Sequence, residues 1–120
     1  MRPHEKLDVW KRAVEMVVFV YKLTEAFPKE ERFGLTSQIR RAAVSIPANI
    51  AEGAARTSDR EFLNFLSIAQ GSSSELQTEL LISEKLGFLN KNDFNVIDKE
   101  LTEISRMLIG LSKFIKQRKP

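Results

Sequence analysis

The chain has 120 residues and a mass of 13.7 kDa, the size of one ordinary domain with little room for a second. Nineteen Lys and Arg against 16 Asp and Glu leave a formal charge of +3 and a pI near 9.3, too mild to name a polyanionic partner by itself. Hydrophobic residues at 42%, charged residues at 29%, no Cys and the single His4 exclude a disordered chain, a disulfide scaffold, a thiolate zinc site, a cysteine nucleophile and a multi-histidine metal centre.

Leu7, Trp10, Val14, Val17 and Tyr21, continued by Thr24, repeat at alternating steps of three and four, which keeps one helical face toward a partner. The spacing predicts a first helix that closes at Phe27 and Pro28, because proline disfavours the helical conformation in the residue before it and lacks an amide donor. The longest apolar run, Met16 to Tyr21, is six residues, far below the roughly 20 that a spanning helix needs. No membrane span and no export leader is expected, so the expected location is cytoplasmic. His4 precedes the first helix and reads as a flexible terminal residue.

After a short link from Lys29 to Gly34, a long second helix runs from about Leu35 to Arg56, with Ile39, Ala43, Ile46 and Ile50 on one face. Pro47 inside it removes one backbone bond, so a kink is expected rather than a break. Ser58 and Glu61 form an S-x-x-E capping box that starts a third helix, with Phe62, Leu66, Ala69, Ser73, Leu76 and Leu80 inward and Gly87 as its stop. Asn90 or Asn92 then caps a fourth helix, in which Phe94, Ile97, Leu101, Ile104, Leu108, Leu111 and Ile115 hold the same spacing. Four amphipathic helices joined by short links predict an all-α fold: an antiparallel up-down-up-down four-helix bundle with a proline-kinked second helix, residues 1–120 forming a single domain.

The second helix is apolar on more of its circumference than a bundle needs. Val44, Pro47, Ala48, Ala51 and Ala55 fall outside the core stripe, and most are small enough for another backbone to approach closely. Val18 and Phe19 likewise lie outside the main stripe of the first helix. These seven residues are read as a surface for self-association; the competing reading is that alanine simply favours helix on a solvated face. The remaining arc carries Gln38, Arg41, Ser45, Asn49, Glu52 and Arg56, and the third helix answers with Ser72, Glu75 and Glu79. Antiparallel packing brings Arg41 level with Glu75, so an ion pair is expected inside a polar seam of Gln38, Arg41, Ser45, Asn49, Glu52, Glu75 and Glu79. Its reading is structural, a device that fixes register.

Catalytic chemistry finds no foothold. The five glycines are isolated and build no phosphate-cradling loop, no G-x-S-x-G elbow is present, and a di-metal carboxylate bundle would need histidines that the helices lack. No enzymatic activity, cofactor or metal is expected. Arg40, Arg56 and Arg60, with Lys113, Lys116, Arg118 and Lys119 near the C-terminus, are candidate phosphate contacts. Without aromatic residues alternating among them, any contact to nucleic acid would be to phosphates alone. The plainer account of the C-terminal cluster is dipole capping and solubility.

The stretch from Gln38 to Gly53, QIRRAAVSIPANIAEG, followed by Arg56, together with Val9-Trp10, Phe27-Pro28, Ala69 to Ser72 and Glu75-Leu76, resembles the bacterial four-helix-bundle family of 23S rRNA-intervening sequence proteins. It is also similar, more distantly, to the accessory variability proteins of diversity-generating retroelements. The resemblance implies a homo-oligomeric ring, with five subunits the expected number, no established enzymatic activity, and, from the distant relatives, contact with nucleic acid and with a nucleic-acid-handling protein. The resulting expectation is a self-assembling, non-enzymatic bundle that weakly binds RNA or DNA phosphates or docks a nucleic-acid-handling protein. The alternative is a structural or protein-interaction module with no nucleic-acid role.

Overall fold

The computed structural model describes residues 1–118. After a 3-10 turn at Pro3–Lys6 come α1 (Asp8–Thr24), a second 3-10 turn at Lys29–Glu31, α2 (Leu35–Ala54), α3 (Asp59–Lys85) and α4 (Lys91–Gln117). The architecture is an all-helical four-helix bundle, with no strand among the described residues.

Helix ends follow from local chemistry. The Ser58 hydroxyl accepts the Glu61 amide at 3.2 Å and donates to the Glu61 carboxylate at 3.0 Å, so the capping pair starts α3. Gly87 takes a φ of +84°, a left-handed conformation that costs glycine little, and it ends the turn after α3. Of the two asparagines, Asn90 is the cap of α4: its side-chain oxygen accepts the Asp93 amide at 2.7 Å. α2 ends at Ala54, two residues before the expected Arg56, and runs unbroken through Pro47.

Each helix packs against two neighbours, α2 between α1 and α3, and α4 between α3 and α1. Ser45 meets Ser72 and Gly53 meets Phe62, Gln70 meets Ser105 and Asp59 meets Arg118, and Arg12 meets Glu100 while Phe19 shares a groove with Val96. Rising numbers on one helix thus meet falling numbers on the next. Inside lie Ile39, Ala43, Ile46 and Ile50 of α2, Leu66, Ala69, Leu76 and Leu80 of α3, and Ile97, Leu101, Ile104, Leu108 and Ile115 of α4, all sealed from water. Each buried aliphatic side chain of this size contributes about 1.5–3 kcal/mol. α2 and α3 approach closely at Gly53, where a Cβ would stand 2.8 Å from the Phe65 Cβ.

Two expectations change. The stripe of α1 that faces the core is Val9, Ala13, Met16, Val20 and Thr24, whereas Val14 and Tyr21 are exposed and Trp10 and Val17 only half-buried. Both stripes step by three and four, and the apolar run from Met16 to Tyr21 leaves periodicity unable to choose between them. His4 is not a loose terminal residue: it sits in the first 3-10 turn with its ring edge-on to Trp10, 4.7 Å between centroids. No described helix is long and apolar enough to cross a membrane.

Candidate functional site

An open groove of about 830 Å³ lies between α3 and the last turns of α4, at the end of the bundle where the α2–α3 turn also lies. Arg56 from that turn, Arg60 from the first turn of α3 and Lys116 from the last turn of α4 line it together with the amide and hydroxyl side chains of Asn64, Ser67, Gln70 and Ser112. Three of the cations singled out in sequence thereby converge from three segments. The single acidic residue lining the groove, Glu61, is engaged by the Ser58 hydroxyl.

Arg56 is oriented within the groove. Its guanidinium lies 4.9 Å from the centroid of the Phe65 ring, and a weaker contact at 3.5 Å joins it to Glu52 one turn earlier. The Arg56 side chain keeps 43% of its exposure. The ring fixes the cation by attraction to its π face and leaves the charge available to a ligand. The floor is braced by a reciprocal bridge: the Gln70 amide donates to the Ser105 carbonyl at 3.3 Å, and the Ser105 hydroxyl donates to the Gln70 oxygen at 2.8 Å.

The other candidate cations fare differently. Arg40 is committed inside the chain, donating to the Thr24 hydroxyl at 2.9 Å and the Tyr21 carbonyl at 3.2 Å with its guanidinium 4.5 Å from the Tyr21 ring centroid. It caps the C-terminal turn of α1, where a positive charge opposes the helix dipole. Arg118 grips Asp59 through two hydrogen bonds, one of them 3.0 Å from Nε to Oδ2, and this bonding holds the Asp59 carboxyl below its ordinary range. Lys113 is exposed beside the groove's α4 wall, and Lys119 lies outside the described residues.

The polar seam forms only in part. Ser45 and Ser72 share a hydrogen bond of 2.8 Å across α2 and α3, and the Asn49 amide donates to the Ser45 carbonyl at 2.7 Å and to its hydroxyl at 2.9 Å. Gln38, Arg41 and Glu75 line the same shallow groove of about 360 Å³, yet no ion pair joins Arg41 to Glu75. Both side chains are exposed, and an exposed pair gains too little to hold two long side chains in one geometry. Glu52 turns to Arg56 on the surface rather than into the seam. Glu79 is the unusual member: it is only 7% exposed, and its Oε1 has no hydrogen-bond partner. Burial, reinforced by the neighbouring Glu75 carboxyl, pushes its pKa up from the ordinary 4.5 to about 7.

Of the seven residues assigned to self-association, Val18, Val44, Ala48 and Ala55 are exposed, Val18 at 48% and Val44 at 43%, and Ala51 is half-buried. Pro47 is buried within the chain and leaves the set, because it stands at the edge of the core arc of α2. Phe19 is half-buried and lines a groove with Glu15, Met16, Val96 and Glu100 between α1 and α4. Val14 and Tyr21 are exposed on α1 as well. The Arg40 contacts to Tyr21 place this α1 stripe beside Val44, one turn further along α2. A second set of exposed apolar side chains is Ile68 and Ile82 on α3 with Leu86 at its C-cap.

The family model described as 23S rRNA-intervening sequence protein matches residues 5–110. The chain belongs to that family. Among solved structures it is similar to a protein of unknown function from the S23 ribosomal protein family of Bacteroides thetaiotaomicron, with 28% identity and a TM-score of 0.79 over 88% of this chain and 98% of that one. No curated protein matches the chain. The match to the 23S rRNA-intervening sequence family spans the QIRRAAVSIPANIAEG stretch. It assigns no role to the groove. Among the described residues no three His, Cys, Asp or Glu side chains gather as a metal centre would require.

Sequence reasoning missed Phe65, whose ring lies under Arg56, and the Gln70–Ser105 bridge. Phe65 follows the inward Phe62 by three residues, a spacing that marks an aromatic near the core edge, but nothing in the chain order announces that Arg56 folds back over it.

Proposed function

We propose that this member of the 23S rRNA-intervening sequence family is a non-enzymatic, self-assembling helical scaffold whose groove between α3 and α4 takes the phosphates of RNA or DNA. The observation that carries the reading is the convergence of Arg56, Arg60 and Lys116 on one open groove with a single carboxylate, Glu61, on its wall. Cations set among amide and hydroxyl donors suit phosphodiester oxygens, which need both charge and hydrogen bonds. Self-association is supported by the exposed stripe of Val14, Val18, Tyr21, Val44, Ala48 and Ala55. A ring joins two different patches of neighbouring subunits, and Ile68, Ile82 and Leu86 offer the second. A ring of five would repeat a weak phosphate site around its circumference and multiply its effect.

Binding of fluorescein-labelled RNA across a salt series tests the phosphate half. Neutralising three phosphates of a single strand gives a slope of log affinity against log salt of about −2 per subunit. The double variant Arg60→Glu with Lys116→Glu is expected to weaken binding about tenfold or more and to flatten the slope by about 1.4. Absence of binding at low salt, or binding indifferent to salt, would leave a structural or protein-interaction module instead.

A further inference from the structure

We infer that the groove is built for a single-stranded polynucleotide, one of whose bases stacks on the Arg56 guanidinium while neighbouring phosphates pair with Arg60 and Lys116. This rests on the reading of the groove as a phosphate site and names the form of nucleic acid it takes. The juxtaposition is Arg56 layered against Phe65, 4.9 Å from the ring centroid, on the wall of a basic groove. A guanidinium held on one side by an aromatic ring is a rigid planar surface, and its other side can receive a base by stacking. The Arg56 side chain is 43% exposed, so part of it stays open to solvent.

A duplex keeps its bases stacked on each other and presents only phosphates and groove edges to such a site, so the layer would be unused. A single strand can turn one base out and use both elements. Asn64 and Ser67 on the same wall offer hydrogen-bond partners to base edge or sugar, and the groove volume of about 830 Å³ lies in the range of ligand sites that hold a nucleotide-sized group.

The substitution Arg56→Lys separates stacking from charge, since lysine keeps the cation but loses the plane. The probes are a labelled single-stranded oligoadenylate, an oligomer of the same length with abasic sugars, and an adenylate–uridylate duplex, at one low salt concentration. The native protein is expected to bind oligoadenylate about tenfold more tightly than the abasic strand, the size of one base stacked on a side chain. Arg56→Lys is expected to erase that preference, so that oligoadenylate and the abasic strand bind the variant with equal affinity. Equal binding of oligoadenylate and the abasic strand, tighter binding of the duplex, or a preference that survives Arg56→Lys would overturn the stacking inference and leave the phosphate site standing. Failure of every probe to bind would remove the phosphate reading itself.

Discussion

Glu79 is a carboxyl group in the wrong solvent. Its raised pKa means that the folded chain holds a proton there which the unfolded chain releases at about 4.5. Stability therefore falls as pH rises from about 4.5 through about 7 and levels off above that, by a total of about 3 kcal/mol. Urea unfolding of the native protein and of Glu79→Gln at pH 5 and pH 8 checks this: the variant should lose most of the decline and be the more stable of the two at pH 8. An equal decline in both would mean that Glu79 is ionised at no cost. Gly53 is the opposite case, a residue defined by what it lacks. Gly53→Ala puts a Cβ 2.8 Å from the Phe65 Cβ and 3.0 Å from the Phe62 ring, so the helices must part. The expected loss is about 1–3 kcal/mol, although alanine is the better helix former, and a chain that gains stability would refute the close approach. The paired carboxyls at Glu75 and Glu79 were visible in the sequence, but the orphaned oxygen was not, because burial depends on how α2 covers α3.

At the scale of elements, legibility followed the number of stripes a helix offers. α2 and α4 each carry one strong row of large aliphatic residues, so their inward faces were readable from Ile39, Ile46 and Ile50 or from Ile97, Ile104 and Leu108. α1 offers two rows, and the stripe read from sequence mixes them: Thr24 is buried and Leu7, Trp10 and Val17 pack at the core's edge, whereas Val14 and Tyr21 face outward. That error has a physical content: a helix apolar on both sides has one side left over after the bundle is packed, and Val14, Val18 and Tyr21 are that side. The groove was half legible. Its cations were identifiable as a loose basic set, but Arg40 and Arg118 differ from Arg56 and Arg60 only through partners on other helices, Thr24 and Asp59. Helix termini were more predictable, because capping is chemistry within four residues: Ser58 with Glu61 and Asn90 with Asp93 close their own local rings.

For the molecule as a whole, the apolar stripe along α1 and α2 is expected to be covered by another copy. Light scattering should return a mass several times 13.7 kDa for the native protein. Ala48→Glu places a charge in the exposed centre of the stripe and should return a helical, folded particle near 13.7 kDa. A native mass of one chain at high concentration, or a mass indifferent to Ala48→Glu, would dismiss the covered face.

The bundle is a rod of 50 × 23 × 22 Å, and Arg56, Arg60 and Lys116 all crowd its one tip while the apolar stripe runs along its flank. A cyclic assembly of flank-to-flank rods would be a crown: every cationic tip on the same rim, and the opposite rim without them. Such an object has polarity. It could sit on a polyanion by one face only, leaving its other face turned toward whatever approaches from behind.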